Sequence, residues 1–168
     1  MVADFESFGT WVRGNEPYGT LTQSTEMKHG GTASAKLAYD FPAVRNNYVV
    51  FQARPPIALS GRPETLTVWV YGDGSEHYLN AWIQDSAGEV RQFTFGRITH
   101  RDTWQQMTLT LDTKAPWPQG PISGRDNGQL DYPISLRALV LDAVPREDVA
   151  YKGVIYLDDL MIGGSAGP

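Results

Sequence analysis

No stretch of this chain repeats its apolar residues with a helical period over about ten positions. It alternates instead, most clearly between Leu66 and Gly96, LTVWVYGDGSEHYLNAWIQDSAGEVRQFTFG. Three runs, Leu66–Tyr71, Tyr78–Asp85 and Val90–Phe95, are rich in β-branched and aromatic residues, with the turn sequences GDGSEH and SAG between them. Leu66, Val68 and Val70 share one face of the first run, and Leu79, Ala81 and Ile83 share one face of the second. Such alternation predicts an antiparallel meander buried on one side. The other face carries Trp69 and Tyr71, then Tyr78, Asn80, Trp82 and Gln84. A solvent face is expected to be charged or small, so these aromatics and amides call for a reason.

The same pattern recurs along the chain. Strands are expected at Thr20–Thr25, Ala33–Phe41, Tyr48–Ala53 (stopped by Arg54-Pro55-Pro56), Gln105–Asp112, Leu136–Ala143 and Val154–Ile162. A long loop, Thr113–Tyr132, carries Trp117 between two prolines. About ten short strands broken by Gly and Pro predict an all-β protein, an antiparallel β-sandwich of jelly-roll type. At 168 residues the chain is long enough for one domain with a sizeable core, assigned to residues 1–162, with 163–168 (GGSAGP) as a linker tail.

The formal net charge of −5, with Lys and Arg scattered, argues against a nucleic-acid partner. No apolar run is long enough for a transmembrane helix, and MVADFESFG is too polar for a signal peptide. Cysteine is absent, which excludes a disulfide framework. Catalysis has little support. His29, His77 and His100 are isolated in turn-like sequence, there is no G-x-S-x-G elbow or P-loop, and no two acids are shown to oppose each other as glycosidases require. Asp73 (GDG) and Asp126 (RDNG) read as turn formers.

Two constellations carry chemistry. Asp4 and Glu6 are two apart near the start, and Asp158-Asp159 interrupt the apolar run VIYLDDLMI near the end. If the terminal strands are adjacent these acids converge, and a hard cation such as calcium, which takes six to eight oxygens, would relieve them. The alternative is that they are simply solvated at strand ends. The second constellation is the outward face of the meander. Sugars are held by rings that stack on C–H surfaces and by planar groups that hydrogen-bond hydroxyl pairs. Tyr78, Asn80, Trp82 and Gln84 supply both, with Arg91 and Phe93 expected opposite on the next strand and Arg137 on a later one. The alternative is packing of these aromatics under loops. Trp11, Tyr18, Trp117 and Tyr132 form a third set, either a rim site or a plug for the end of the sandwich.

The frame DFES…HGGTASAKLAYDF…LTVWVYGDGS…LNAWIQDSAGE…VIYLDDLMI resembles carbohydrate-binding modules of the galactose-binding-like jelly-roll type. The modules it is most similar to are attached to bacterial glycoside hydrolases or lie beside phosphodiester glycosidases, and the resemblance covers nearly the whole chain. It implies a structural calcium at positions corresponding to Asp4, Glu6, the region of Thr32, and Asp158 or its neighbour Asp159. It also implies an inward, packing role for Trp69. The function it implies is non-catalytic polysaccharide binding by a monomeric, secreted or cell-surface bacterial module that targets an attached catalytic domain. Two other readings stay open: an interaction domain that docks on a neighbouring domain without sugar, and a small glycan-active enzyme.

Overall fold

The computed structural model describes residues 1–115, 117–118 and 120–164. Eleven strands form two antiparallel sheets, with no helix among the described residues. The six-stranded sheet has the order β1 (Trp11–Arg13), β4 (Tyr48–Leu59), β10 (Ile134–Asp142), β6 (Tyr78–Gln84), β7 (Val90–Arg97), β9 (Pro121–Ser123). The five-stranded sheet has the order β2 (Gly19–Ser24), β3 (Ser34–Asp40), β11 (Lys152–Gly163), β5 (Thr65–Asp73), β8 (Arg101–Thr110). The expected β-sandwich is the fold found. Of the expected tail, Gly163 closes β11, and Ser165–Pro168 lie outside the described residues.

One core fills the space between the sheets. Leu66, Val68 and Val70 meet Leu79, Ala81 and Ile83 there, joined by Leu37, Phe51, Leu109, Leu139 and Leu157. The two apolar faces read from the central stretch therefore belong together, though not in one meander. β5 lies between β11 and β8, whereas β6 lies between β10 and β7 in the opposite sheet. The GDGSEH segment is thus a crossing between layers, and each face is buried by the other sheet. His77, expected in an open turn, sits at that crossing fully buried. Its Nε2 donates to the Ala150 carbonyl and its Nδ1 accepts from Val144 N–H.

Trp69 and Tyr71 accordingly lie on the outer face of the five-stranded sheet rather than inside. His29 stacks on Trp69 at 4.0 Å between ring centres, and Tyr71 meets Trp104 and Tyr156 edge-on. β4 does not stop at Arg54-Pro55-Pro56 either. Against β10 the pairing passes from Gln52↔Ala138 to Ile57↔Leu136, so Arg137 alone opposes four residues of β4. This bulge takes the prolines, which have no N–H to give, out of the ladder.

Candidate functional site

Tyr48, Val50 and Gln52 of β4, Ala138, Val140 and Asp142 of β10, and Tyr78, Asn80, Trp82 and Gln84 of β6 alternate with core residues. They lie on the outer face of the six-stranded sheet. Val50, Ala138 and Val140 are themselves buried and form a small cluster of their own, against which Trp82 packs. Small floor residues let the indole lie low over them. Its Nε1 donates to Gln92 Oε1 at 3.0 Å, which fixes the ring from the β7 side. At one end of β6 Arg137 Nη1 donates to Gln84 Oε1 at 2.8 Å. At the other end Tyr78 meets Trp117 with ring centres 4.7 Å apart.

A groove runs along this face on both sides of Trp82. One part, of about 530 Å³, is lined by Asn46, Tyr48, Trp82, Gln92, Trp117, Ile122, Val140 and Asp142. The other, of about 320 Å³, is lined by Arg13, Asn15, Glu16, Gln52 and Arg54 and shares Tyr48 and Trp82. Tyr48, Trp117 and Ile122 are 41%, 45% and 48% exposed. Three large apolar side chains left open in one groove, among amides and acids, are what a ligand site requires and what a self-contained surface avoids.

Two of the expected site residues are not here. The β6–β7 register places Arg91 opposite Ile83 and Phe93 opposite Ala81, both core-facing. Arg91 and Phe93 are therefore each 4% exposed on the inner side, and Gln92 and Thr94 take the outward positions. Arg91 Nε donates to buried Glu89 Oε1 at 2.5 Å, and its Nη2 to Asp126, which in turn accepts from Gly128 N–H as the turn former expected of RDNG. Tyr48, Asn46, Gln92, Asp142 and Glu16 were missed. They come from segments remote in sequence, although the Tyr48–Val50–Gln52 alternation carried the signal. Of the loop aromatics, Trp11, Tyr18 and Tyr132 pack on the core, as the plug reading has it, while Trp117 joins the groove.

Burial pushes the Asp142 carboxyl up to about 6. The phenol of Tyr48 is raised first by burial, then by the Glu16 and Asp142 charges. An acid whose folded-state value is raised contributes stability below its unfolded value of about 4, and this contribution is lost as pH rises through about 6. Asp142→Asn should therefore unfold at higher urea than the parent at pH 8, by on the order of 1 kcal/mol after screening at this half-buried position. The two should be alike at pH 3.5, and equal midpoints at both pH values would show that Asp142 is not strained by burial.

The acids of the chain ends also converge. Ala3 pairs with Leu160, and Asp158, opposite Trp69 on β5, is fully buried beneath the His29–Gly30 turn. Asp158 Oδ2 accepts from His29 and Gly30 N–H at 2.9 and 3.1 Å. Burial is the main influence raising its carboxyl, against the N–H groups that lower it. Glu6 accepts from Thr32 Oγ1 (2.8 Å) and from the N–H groups of Thr32 (2.6 Å) and Ala33, and the Thr32 hydroxyl foremost holds it below the usual carboxylate range. Gly31 has φ +64°, and a Cβ there would lie 1.8 Å from Glu6 Oε1, so this turn needs glycine. Thr32 thus gives its N–H and hydroxyl to Glu6, and Asp4 Oδ1 accepts from Glu6 N–H. Among the described residues no three His, Asp or Glu side chains come together as a metal cluster, so any one point has at most two carboxylates.

Against solved structures, the chain is similar to the family 11 carbohydrate-binding module of Clostridium thermocellum in complex with a β-1,3-1,4-mixed-linked tetrasaccharide. The identity is 14%, the TM-score 0.63, and 98% of this chain and 95% of that one are covered. It is similar to a structure of β-sandwich-superfamily carbohydrate-binding modules of promiscuous specificity at 13% identity and TM-score 0.60, covering 96% of this chain and 60% of that one. The C-terminal family 22 module of Clostridium thermocellum Xyn10B, whose cleft residues act in ligand binding, matches at 16% identity and TM-score 0.52, with 98% and 92% covered. The fold is therefore that of the β-sandwich carbohydrate-binding modules. No curated protein matches the chain. Residues 55–163 match the model of the flagellar filament outer layer protein FlaA, and the chain belongs to that family.

Proposed function

We propose that this protein binds a polysaccharide, without catalysis, in the groove on the outer face of the six-stranded sheet. The observation that carries the reading is the rigidly held Trp82 ring at the groove's centre, with exposed Tyr48 and Trp117 on its walls and Gln92, Asn46, Asp142 and Glu16 around them. Trp82 stacks on a sugar ring, and the amides and carboxylates take its hydroxyls. Open space on both sides of Trp82 suits an internal segment of a chain. Gel retardation by a panel of soluble β-glucans, xylans and galactans tests it. At least one should retard the protein, and free mobility in all would remove the reading. Secretion, and service as a targeting module for an attached enzyme, are parts of the same proposal.

The family match favours a second reading, a subunit that docks on a protein assembly. Co-sedimentation with flagellar filaments in the absence of any polysaccharide retardation would decide for it.

A structural calcium at the terminal corner is proposed in addition. Its support is the convergence of Glu6 and Asp158 on one turn, with Asp158 buried and facing only N–H donors among its hydrogen bonds. Backbone carbonyls and water would complete the oxygens that calcium requires. Exhaustive chelation should then lower Tm by several degrees, since a ligand of the folded state alone stabilises it. An unchanged Tm would leave the corner to its hydrogen bonds.

A further inference from the structure

Asn80 stands out beside Trp82 on the grooved face. It is fully buried, and neither Oδ1 nor Nδ2 has a hydrogen-bond partner among the described residues. Buried polar groups are nearly always paired, and an exception calls for an explanation. The side chain cannot be partnered by the ladder beside it. Its neighbours on the same face are Val140 on β10 and Thr94 on β7, and the Thr94 hydroxyl is already turned to Leu79 O and Gly96 N–H. Along β6 its same-face neighbours are Tyr78 and Trp82. Trp117 touches Tyr78 and borders the groove with Trp82 and Val140 on one side, and a second hollow with Thr94 on the other. Trp117 is thus the large side chain that borders the hollows on either side of Asn80. Leucine keeps the branched outline of asparagine, with somewhat more volume, and would leave no unpaired polar atom beside Val140.

We infer that Asn80 is a ligand-reserved amide. In the free protein Trp117 covers it, and a saccharide entering the groove displaces that ring and supplies a hydroxyl pair to the Asn80 Oδ1 acceptor and Nδ2 donor. The inference rests on the polysaccharide reading of the groove and adds which contact sets its specificity. The amide matches a vicinal pair of hydroxyls, one donating and one accepting, so it selects chains that keep such a pair free at the ring over Trp82. Binding residues are kept at some expense to stability, and this one should show it.

The test pairs stability with binding in Asn80→Leu. Its Tm should rise by about 2–4 °C, the shift for a modest stabilisation in a chain of this size. Its affinity for a mixed-linked β-glucan tetrasaccharide should fall about tenfold, with Trp82 unchanged. A fall in Tm would show that the amide has a structural partner and overturns the inference while leaving the groove reading intact. A rise in Tm with unaltered affinity overturns it too. If the parent protein binds no saccharide at all, the groove reading fails and takes this assignment with it, whatever the Tm. A second readout needs no variant: the Asn80 side-chain NH₂ signals in a ¹⁵N spectrum should shift on adding the tetrasaccharide. Signals that stay in place while other groove residues shift would overturn the inference.

Discussion

Replacing Trp82 by alanine is expected to weaken polysaccharide binding by about 30-fold, which corresponds to roughly 2 kcal/mol for a central aromatic anchor. The indole borders both parts of the groove and is locked from the side by Gln92. It is thus already in the orientation a sugar face needs, with little ordering left to be done on binding. Its loss also uncovers Val50, Ala138 and Val140, so some stability will go with it. Gln92→Leu separates the two effects. It keeps the ring and releases only its anchor, and should cost about threefold in affinity with a Tm near that of the parent. If Trp82→Ala is retarded in the gel as strongly as the parent, the groove is not the site.

Arg91→Met is expected to cost stability rather than binding, by about 3–5 kcal/mol. The guanidinium is buried between the sheets with Glu89, which is 1% exposed and whose Oε2 has no hydrogen-bond partner among the described residues. Removing the cation strands that carboxylate in an apolar surround and frees Asp126, with which Arg91 holds the 124–131 segment. In a chain of this length the loss corresponds to a fall in Tm of about 10 °C. The double variant Arg91→Met/Glu89→Leu should recover most of it, because a well-packed apolar pair replaces an ion pair at little or no cost. A single variant that melts within a degree or two of the parent would show that the pair is solvated.

The contrast between Trp82 and Arg91 shows where the sequence could be read. Period-two alternation assigns residues to faces within one strand, and it did so correctly for β5 and β6. It says nothing about the phase of one strand against the next. The Asp85–Glu89 connection sets that phase for β7 by pairing Gln84 with Val90, and so Arg91 and Phe93, read as outward, face the core. Sheet membership was equally hidden, because GDGSEH looks like a hairpin turn whether the chain folds back or crosses to the other layer. The acids at the chain ends were placed at one corner from their isolation in apolar surroundings, a local signal with a global meaning. Their partners, the amide groups of His29, Gly30 and Thr32, are backbone, and no residue type announces those. The walls of the groove come from the segments around residues 13–16, 46–54, 92 and 140–142 and from residues 117 and 122, which only the completed sandwich brings side by side.

The margins of the grooved sheet bear on how these molecules crowd. It ends on both sides in strands of three residues, Trp11–Arg13 and Pro121–Ser123. A strand so short leaves few free N–H and C=O groups, and Pro121 lacks an N–H altogether. Two molecules meeting along these margins would therefore have little backbone with which to extend the grooved sheet from one into the other.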